Sequence, residues 1–111
     1  MGVRRIRTHS RHVVDASVIV EARNRELTVV GELVDLGEGG AACRLEAPLR
    51  MGEPVTLRLK CEPPIVLSAE VAWVAWGESS SVRLGLRFAD GQDALVNQLL
   101  EQLTAAGKVG T

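Results

Sequence analysis

Tyrosine is absent from the 111-residue sequence, phenylalanine occurs once and tryptophan twice. So few rings exclude a surface that holds single-stranded nucleic acid by stacking successive bases. Histidine occurs only as His9 and His12, near the N-terminus and without Cys or carboxylate ligands at metal spacing. Both are read as bystanders, so neither a metal site nor a histidine-based catalytic centre is expected. No run approaches the length of about 18 apolar residues that a membrane helix needs, and no apolar stretch follows the basic start as in a secretion signal. The reading is therefore cytoplasmic, without membrane insertion, and Cys43 and Cys61 are expected as reduced, largely buried thiols. Charge of one sign is also lacking: 13 basic against 14 acidic residues leave a formal net charge of -1. That balance excludes a protein that grips long nucleic acid by bulk charge.

What is present is apolar alternation. Hydrophobic residues make up 46% of the chain and charged residues 24%, ordinary values for one folded domain. Val14, Ala16, Val18 and Val20 alternate with polar positions as a first strand, and a turn around Asn24 leads to a second strand over 26–36. Ala41 to Leu45 forms a third, and Val55, Leu57 and Leu59 mark a fourth. A long β-rich run covers 65–76, with Leu67, Ala69, Val71 and Trp73 on one parity, and Val82, Leu84, Leu86 and Phe88 define the last strand. After Asp90, a candidate helix cap, Leu95, Leu99, Leu100 and Leu103 recur at helical spacing. Six strands and one terminal helix predict an all-β fold, a closed or nearly closed antiparallel barrel that leaves no exposed edge. The expected organisation is a flexible basic arm over 1–12, the barrel and helix over 13–103, and a frayed tail over 104–111.

Local charge is concentrated where the total is not. Four of the arginines, Arg4, Arg5, Arg7 and Arg11, precede the first acid, Asp15. The second strand ends in Asp35-Leu36-Gly37-Glu38-Gly39-Gly40, a loop whose glycines permit positive φ and close backbone approach to a ligand. Guanidinium groups fork onto phosphate oxygens or the O6/N7 edge of guanine, and a carboxylate accepts from guanine N–H groups. Arm and loop together read as an anion site. A dinucleotide-binding βαβ fingerprint is excluded because the chain continues as strand after the glycines, where a phosphate-binding helix would have to begin.

These two elements resemble the signature of the PilZ domain, R-x-x-x-R on an arm followed by [D/N]-x-S-x-x-G after the second strand. Arg7-Thr8-His9-Ser10-Arg11 satisfies the first, and Asp35 and Gly40 satisfy the ends of the second, with Gly37 where the family has Ser. Glu70-Val71-Ala72-Trp73 and Arg83 to Phe88 are similar to the family's late strands, so the resemblance covers roughly residues 5–103. It implies a bacterial, six-stranded PilZ-type barrel that binds cyclic di-GMP as ligand, with no cofactor and no catalysis. By the same resemblance Arg7 and Arg11 wrap phosphates and guanine edges, Asp35 reads a guanine, and Gly37, Gly39 and Gly40 shape the loop. Arg4, Arg5 and Arg44 are auxiliary candidates. The implied output is an ordered arm that a protein partner recognises, and a homodimer stays open. The alternative is an adaptor that contacts proteins after losing or weakening ligand binding, since one missing hydroxyl removes about 0.5–1.5 kcal/mol, or about two- to tenfold in affinity.

The remaining conspicuous residues have plainer readings. Trp73 is expected in the core and Trp76 at the surface, where it meets a ligand, a partner or nothing. Arg83 and Arg87 are expected on a solvated strand face, and the leucine stripe of the helix against its own barrel.

Overall fold

Alternating apolar residues become two-faced strands in the computed structural model, which describes residues 11–77 and 80–110. The elements are β1 (His12–Ala22), β2 (Leu27–Leu36), β3 (Gly40–Leu45), β4 (Pro54–Leu59), β5 (Ile65–Trp76), β6 (Val82–Phe88) and α1 (Asp93–Ala105). The strands close in the order β1-β2-β3-β6-β5-β4, every neighbour antiparallel, with β4 pairing back to β1. The expected six-stranded barrel with one C-terminal helix is thus the observed architecture. Val18, Val20, Leu33, Leu45, Leu57, Leu67 and Leu84 point inward into one continuous core. Cys43 belongs to it, and burial pushes its thiol up to about 12, so it stays protonated and inert at neutral pH. Cys61 is half-buried and also free.

Three β-bulges interrupt the alternation, between Val13 and Ala16, between Leu33 and Asp35, and between Val71 and Trp73. In β2 and β5 the inserted residue switches which parity faces the core, whereas in β1 the even-numbered residues stay buried on both sides of the bulge. In β5 this overturns the expectation that Trp73 is a core residue. Val71 is buried opposite Leu86, whereas Trp73, one residue later than strict alternation allows, lies outside opposite Gly85 at 45% exposure. Its indole covers Gly85 so closely that a Cβ there would overlap the ring. Trp76 is exposed at 69%.

The helix differs from its expected boundaries in two ways. Gln92, not Asp90, occupies the N-cap position, and its carboxamide brackets β5: Oε1 accepts from Ser68 N–H at 2.8 Å and Nε2 donates to Ser68 O at 2.7 Å. Asp90 is separated from the helix by Gly91 at φ +83. The buried stripe is Val96, Leu99 and Leu103, leaving Leu95 on the rim at 36% exposure. Beyond the helix, residues 106–110 of the segment expected to fray make backbone hydrogen bonds or a bridge to the fold. Gly107 N–H donates to Thr104 O at 3.0 Å and Lys108 N–H to Leu103 O at 2.9 Å, a Schellman closure that turns the chain back. Val109 then bridges Val14, with Asp15 N–H on Lys108 O and Gly110 N–H on Val13 O. The C-terminal residues therefore fill the edge that the β1 bulge opens, directly beside the point where the arm enters.

Candidate ligand-binding site

The β2 bulge places Asp35 outside the barrel, paired with Val13 of β1 and Ala42 of β3. Without that bulge the odd parity of Leu27, Val29 and Leu33 would carry a carboxylate into the core. Leu36 takes the inward position instead. Immediately after it, Gly37 N–H donates to Gly40 O at 2.9 Å, and Gly39 O accepts from Phe88 N–H at 2.9 Å, so the loop is a tight rim fixed to β6. The loop glycines do not have positive φ, which among the described residues occurs only at Gly52, Gly91 and Gly107. Their use is close approach. A Cβ on Gly40 would run into the Leu86 carbonyl, whereas Gly39 faces open space.

Arg11, the last residue of the expected R-x-x-x-R element, lies across this rim. Its Nη2 stands 2.6 Å from Asp35 Oδ1, and its Nη1 reaches Gly40 O at a long 3.5 Å. The ion pair is short but badly aligned, so Asp35 Oδ1, although itself buried, receives no well-directed hydrogen bond among the described residues. The Asp35 side chain as a whole remains 33% exposed. Arg11 also fills the room above Gly37: a Cβ there would sit 2.8 Å from Arg11 Cδ and 3.0 Å from its Nη1. Arg11, Asp35, Gly37 and Gly40 are thus brought together. Arg4, Arg5 and Arg7 lie outside the described residues. Arg44 is not drawn in: it lies further along β3, ion-paired with Glu32.

The outward face continues from Asp35 over two small residues. Asp35 pairs with Ala42, Ala42 with Gly85, and Gly85 with Trp73, a row in which the Trp73 indole lies over Gly85 and only the small side chain of Ala42 separates that ring from the carboxylate. On the loop side of this row stand Gly40, Arg87 and Glu70, the latter two ion-paired at 2.5 Å. On the other side stand Glu32, Arg44, Arg83 and Ala75. The expected solvated face of Arg83 and Arg87 is therefore also the surround of the Asp35 site. Sequence parity hid Trp73 from it. The readable signal is Gly85, a residue without a side chain in the middle of the otherwise regular β6. A cleft of about 210 Å³ separates the loop from α1, lined by His12, Gly37, Glu38 and Asn97. A larger one of about 480 Å³ lies away from the site, beside Lys60, Cys61, Gln102 and Lys108. Among the described residues no group of three His, Cys, Asp or Glu side chains converges as metal ligands.

With that geometry, the sequence matches the PilZ domain family over residues 5–106. The chain belongs to the PilZ domain family. Solved PilZ structures share its shape. The c-di-GMP-bound PilZ domain of YcgR from Escherichia coli superposes with a TM-score of 0.70 at 17% identity, covering 91% of each chain. The PilZ domain of CeSA from a cellulose-synthesizing bacterium gives 0.63 at 18% identity, covering 88% of this chain and 98% of that one. The Bacillus subtilis inhibitor of motility MotI/DgrA gives 0.65 at 18% identity, covering 91% of this chain and 53% of its own. No curated protein matches the sequence. In this PilZ domain, no helix among the described residues is long and apolar enough to cross a membrane.

Proposed function

We propose that this PilZ domain is a non-enzymatic, cytoplasmic receptor for cyclic di-GMP that passes the signal to a protein partner. The observation that carries the reading is Asp35 Oδ1, a buried carboxylate oxygen without an aligned donor, set beside Arg11 on a glycine rim. Such an oxygen is costly to leave unmet, and the N1–H and N2–H edge of guanine supplies the donors it lacks. Arg11 then turns from Asp35 to a phosphate or the O6/N7 edge, and Arg7, four residues earlier in the sequence, adds a second fork. The small side chain of Ala42 leaves room beside Asp35, and the half-exposed Trp73 ring, seated over Gly85, offers a face on which a base stacks, worth about 1–3 kcal/mol per base. The c-di-GMP complex of the E. coli YcgR PilZ domain supports the choice of ligand. Gly37, standing at the family's Ser position, favours the second reading, an adaptor with lost or weakened binding.

Calorimetric titration with cyclic di-GMP, with the Arg7→Ala/Arg11→Ala double variant as control, separates the two. Binding by the unaltered protein that disappears in the variant establishes the receptor. Absence of binding at high micromolar ligand in a folded protein overturns the receptor and makes the adaptor the primary reading, to be pursued through protein partners.

A further inference from the structure

The row beyond Asp35 holds an electrostatic imbalance. Arg44 of β3 and Arg83 of β6 are directly opposed across the two strands, an arrangement that is destabilising for like charges. Glu32 neutralises Arg44, and on the next strands Glu70 neutralises Arg87. Arg83 has neither: its other neighbour is Ala75, and among the described residues it makes no ion pair or hydrogen bond. Among the described residues, two of the three strand arginines of this face, Arg44 and Arg87, are ion-paired with Glu32 and Glu70, and the third, Arg83, stands two residues along β6 from Gly85.

We infer that Arg83 is an additional anion-binding residue of this site, holding the phosphate or guanine edge of the ligand that lies farthest from Arg11. The inference rests on the proposed cyclic di-GMP reading and extends its footprint from the loop across β3 to β6. Register sets the span. From Asp35 to Arg83 there are two strand spacings of about 4.8 Å and one two-residue step of about 6.6 Å, or about 12 Å between Cα atoms. Arg11, whose guanidinium lies on Asp35, and Arg83 at the other end bracket a ligand that carries its two phosphates on opposite sides of one macrocycle. An unneutralised guanidinium on a face already holding a like charge gains more from such an anion than a paired one, because no existing ion pair must first be broken.

The test is calorimetric titration with cyclic di-GMP of the unaltered protein, Arg83→Ala, Arg83→Gln, Arg11→Ala and Arg23→Ala. Arg23 is an exposed arginine in the β1–β2 turn and reports the effect of removing one positive charge far from the site. Arg83→Ala and Arg83→Gln are expected to weaken binding about tenfold and Arg23→Ala less than about twofold, with no variant melting below the unaltered protein. Full affinity in both Arg83 variants alongside a large loss in Arg11→Ala overturns the role of Arg83 and leaves the receptor reading standing. Equal weakening by Arg83→Ala and Arg23→Ala overturns it as a mere net-charge effect. No binding by the unaltered protein overturns both readings together.

Discussion

Two arginine–carboxylate pairs stand at different places on this barrel, and they are built to different standards. Arg25, in the β1–β2 turn, meets Glu53 ahead of β4 through two hydrogen bonds, Nε to Oε2 at 2.7 Å and Nη2 to Oε1 at 3.0 Å. The Arg50 N–H adds a third at 2.9 Å, and the Glu53 side chain is only 6% exposed. Both carboxylate oxygens of that pair accept directed hydrogen bonds, and two loops distant in sequence are joined. Arg11 and Asp35 make a single misaligned contact, half in solvent, with one buried oxygen still lacking a directed donor. The lesson is that similar charges serve opposite ends. A fully satisfied pair closes structure, whereas the pair proposed to bind ligand is left incomplete on its rim.

The sharpest way to break this comparison is to remove one member of each pair and measure both affinity and stability. Arg11→Ala is expected to weaken cyclic di-GMP binding by on the order of 10- to 100-fold, the worth of a charge-assisted contact, and to leave the melting temperature within about a degree, as for an exposed pair. Glu53→Ala is expected to do the reverse. It strands the Arg50 N–H and releases the β1–β2 turn, lowering the melting temperature by at least about 4–8 °C, the shift that about 1 kcal/mol produces in a domain of this size, while affinity stays within twofold. A large stability loss in Arg11→Ala would show that the arm pair is structural after all.

Acid sharpens the same contrast. Hydrogen bonding from Arg25, followed by the Arg50 N–H and the positive charge of both arginines, outweighs burial and holds the Glu53 carboxyl below its ordinary value. The folded state therefore releases this proton more readily than the unfolded state does. The pair's stabilisation is complete above the ordinary glutamate range, near about 4.3, and is lost as pH falls through the depressed folded value. Melting temperature should decline over that acid window in the unaltered protein, and less steeply in Glu53→Gln, which has no proton to take up. Parallel curves for the two proteins would remove Glu53 from the explanation.

Much of this architecture is legible in the chain because strand alternation is a local property. Val18 and Val20, or Leu57 and Leu59, announce an inward face with no knowledge of their neighbours. Bulges are not local. Whether Ala72 is an extra residue depends on Leu86 and Gly85 across the ladder, so Trp73 reads as core in sequence and emerges outside in the fold. The same holds for Asp35, whose outward aim comes from the β2 bulge opposite Cys43 and Ala42. The motif located the loop and Arg11, but not the row beside them, since Ala42, Gly85 and Trp73 meet only through three-strand pairing. Likewise nothing in Lys108-Val109-Gly110 signals a bridge, which exists because the β1 bulge leaves Val13 and Asp15 with free backbone groups.

The smallest expected effect tests the most specific feature of the incomplete pair. Gly37 is what lets Arg11 lie flat on the loop, because a Cβ at that position would come within 2.8–3.3 Å of Arg11 Cδ, Nη1 and Nε. All three atoms belong to the far end of a flexible side chain, so Gly37→Ser is accommodated by swinging Arg11 away, without strain in the loop backbone. Two consequences point the same way. The new hydroxyl offers the ligand a hydrogen bond of about 0.5–1.5 kcal/mol, and the displaced Arg11 no longer has to leave Asp35 before either can contact the ligand. The hydroxyl alone tightens cyclic di-GMP binding by about two- to tenfold, and release of an exposed pair that contributes about 0–1 kcal/mol acts in the same direction. Titration of Gly37→Ser against the unaltered protein reads this directly. Weaker binding would mean that the position of Arg11 above residue 37 is the arrangement the ligand needs, and that glycine at 37 is an adaptation of this site for holding it there.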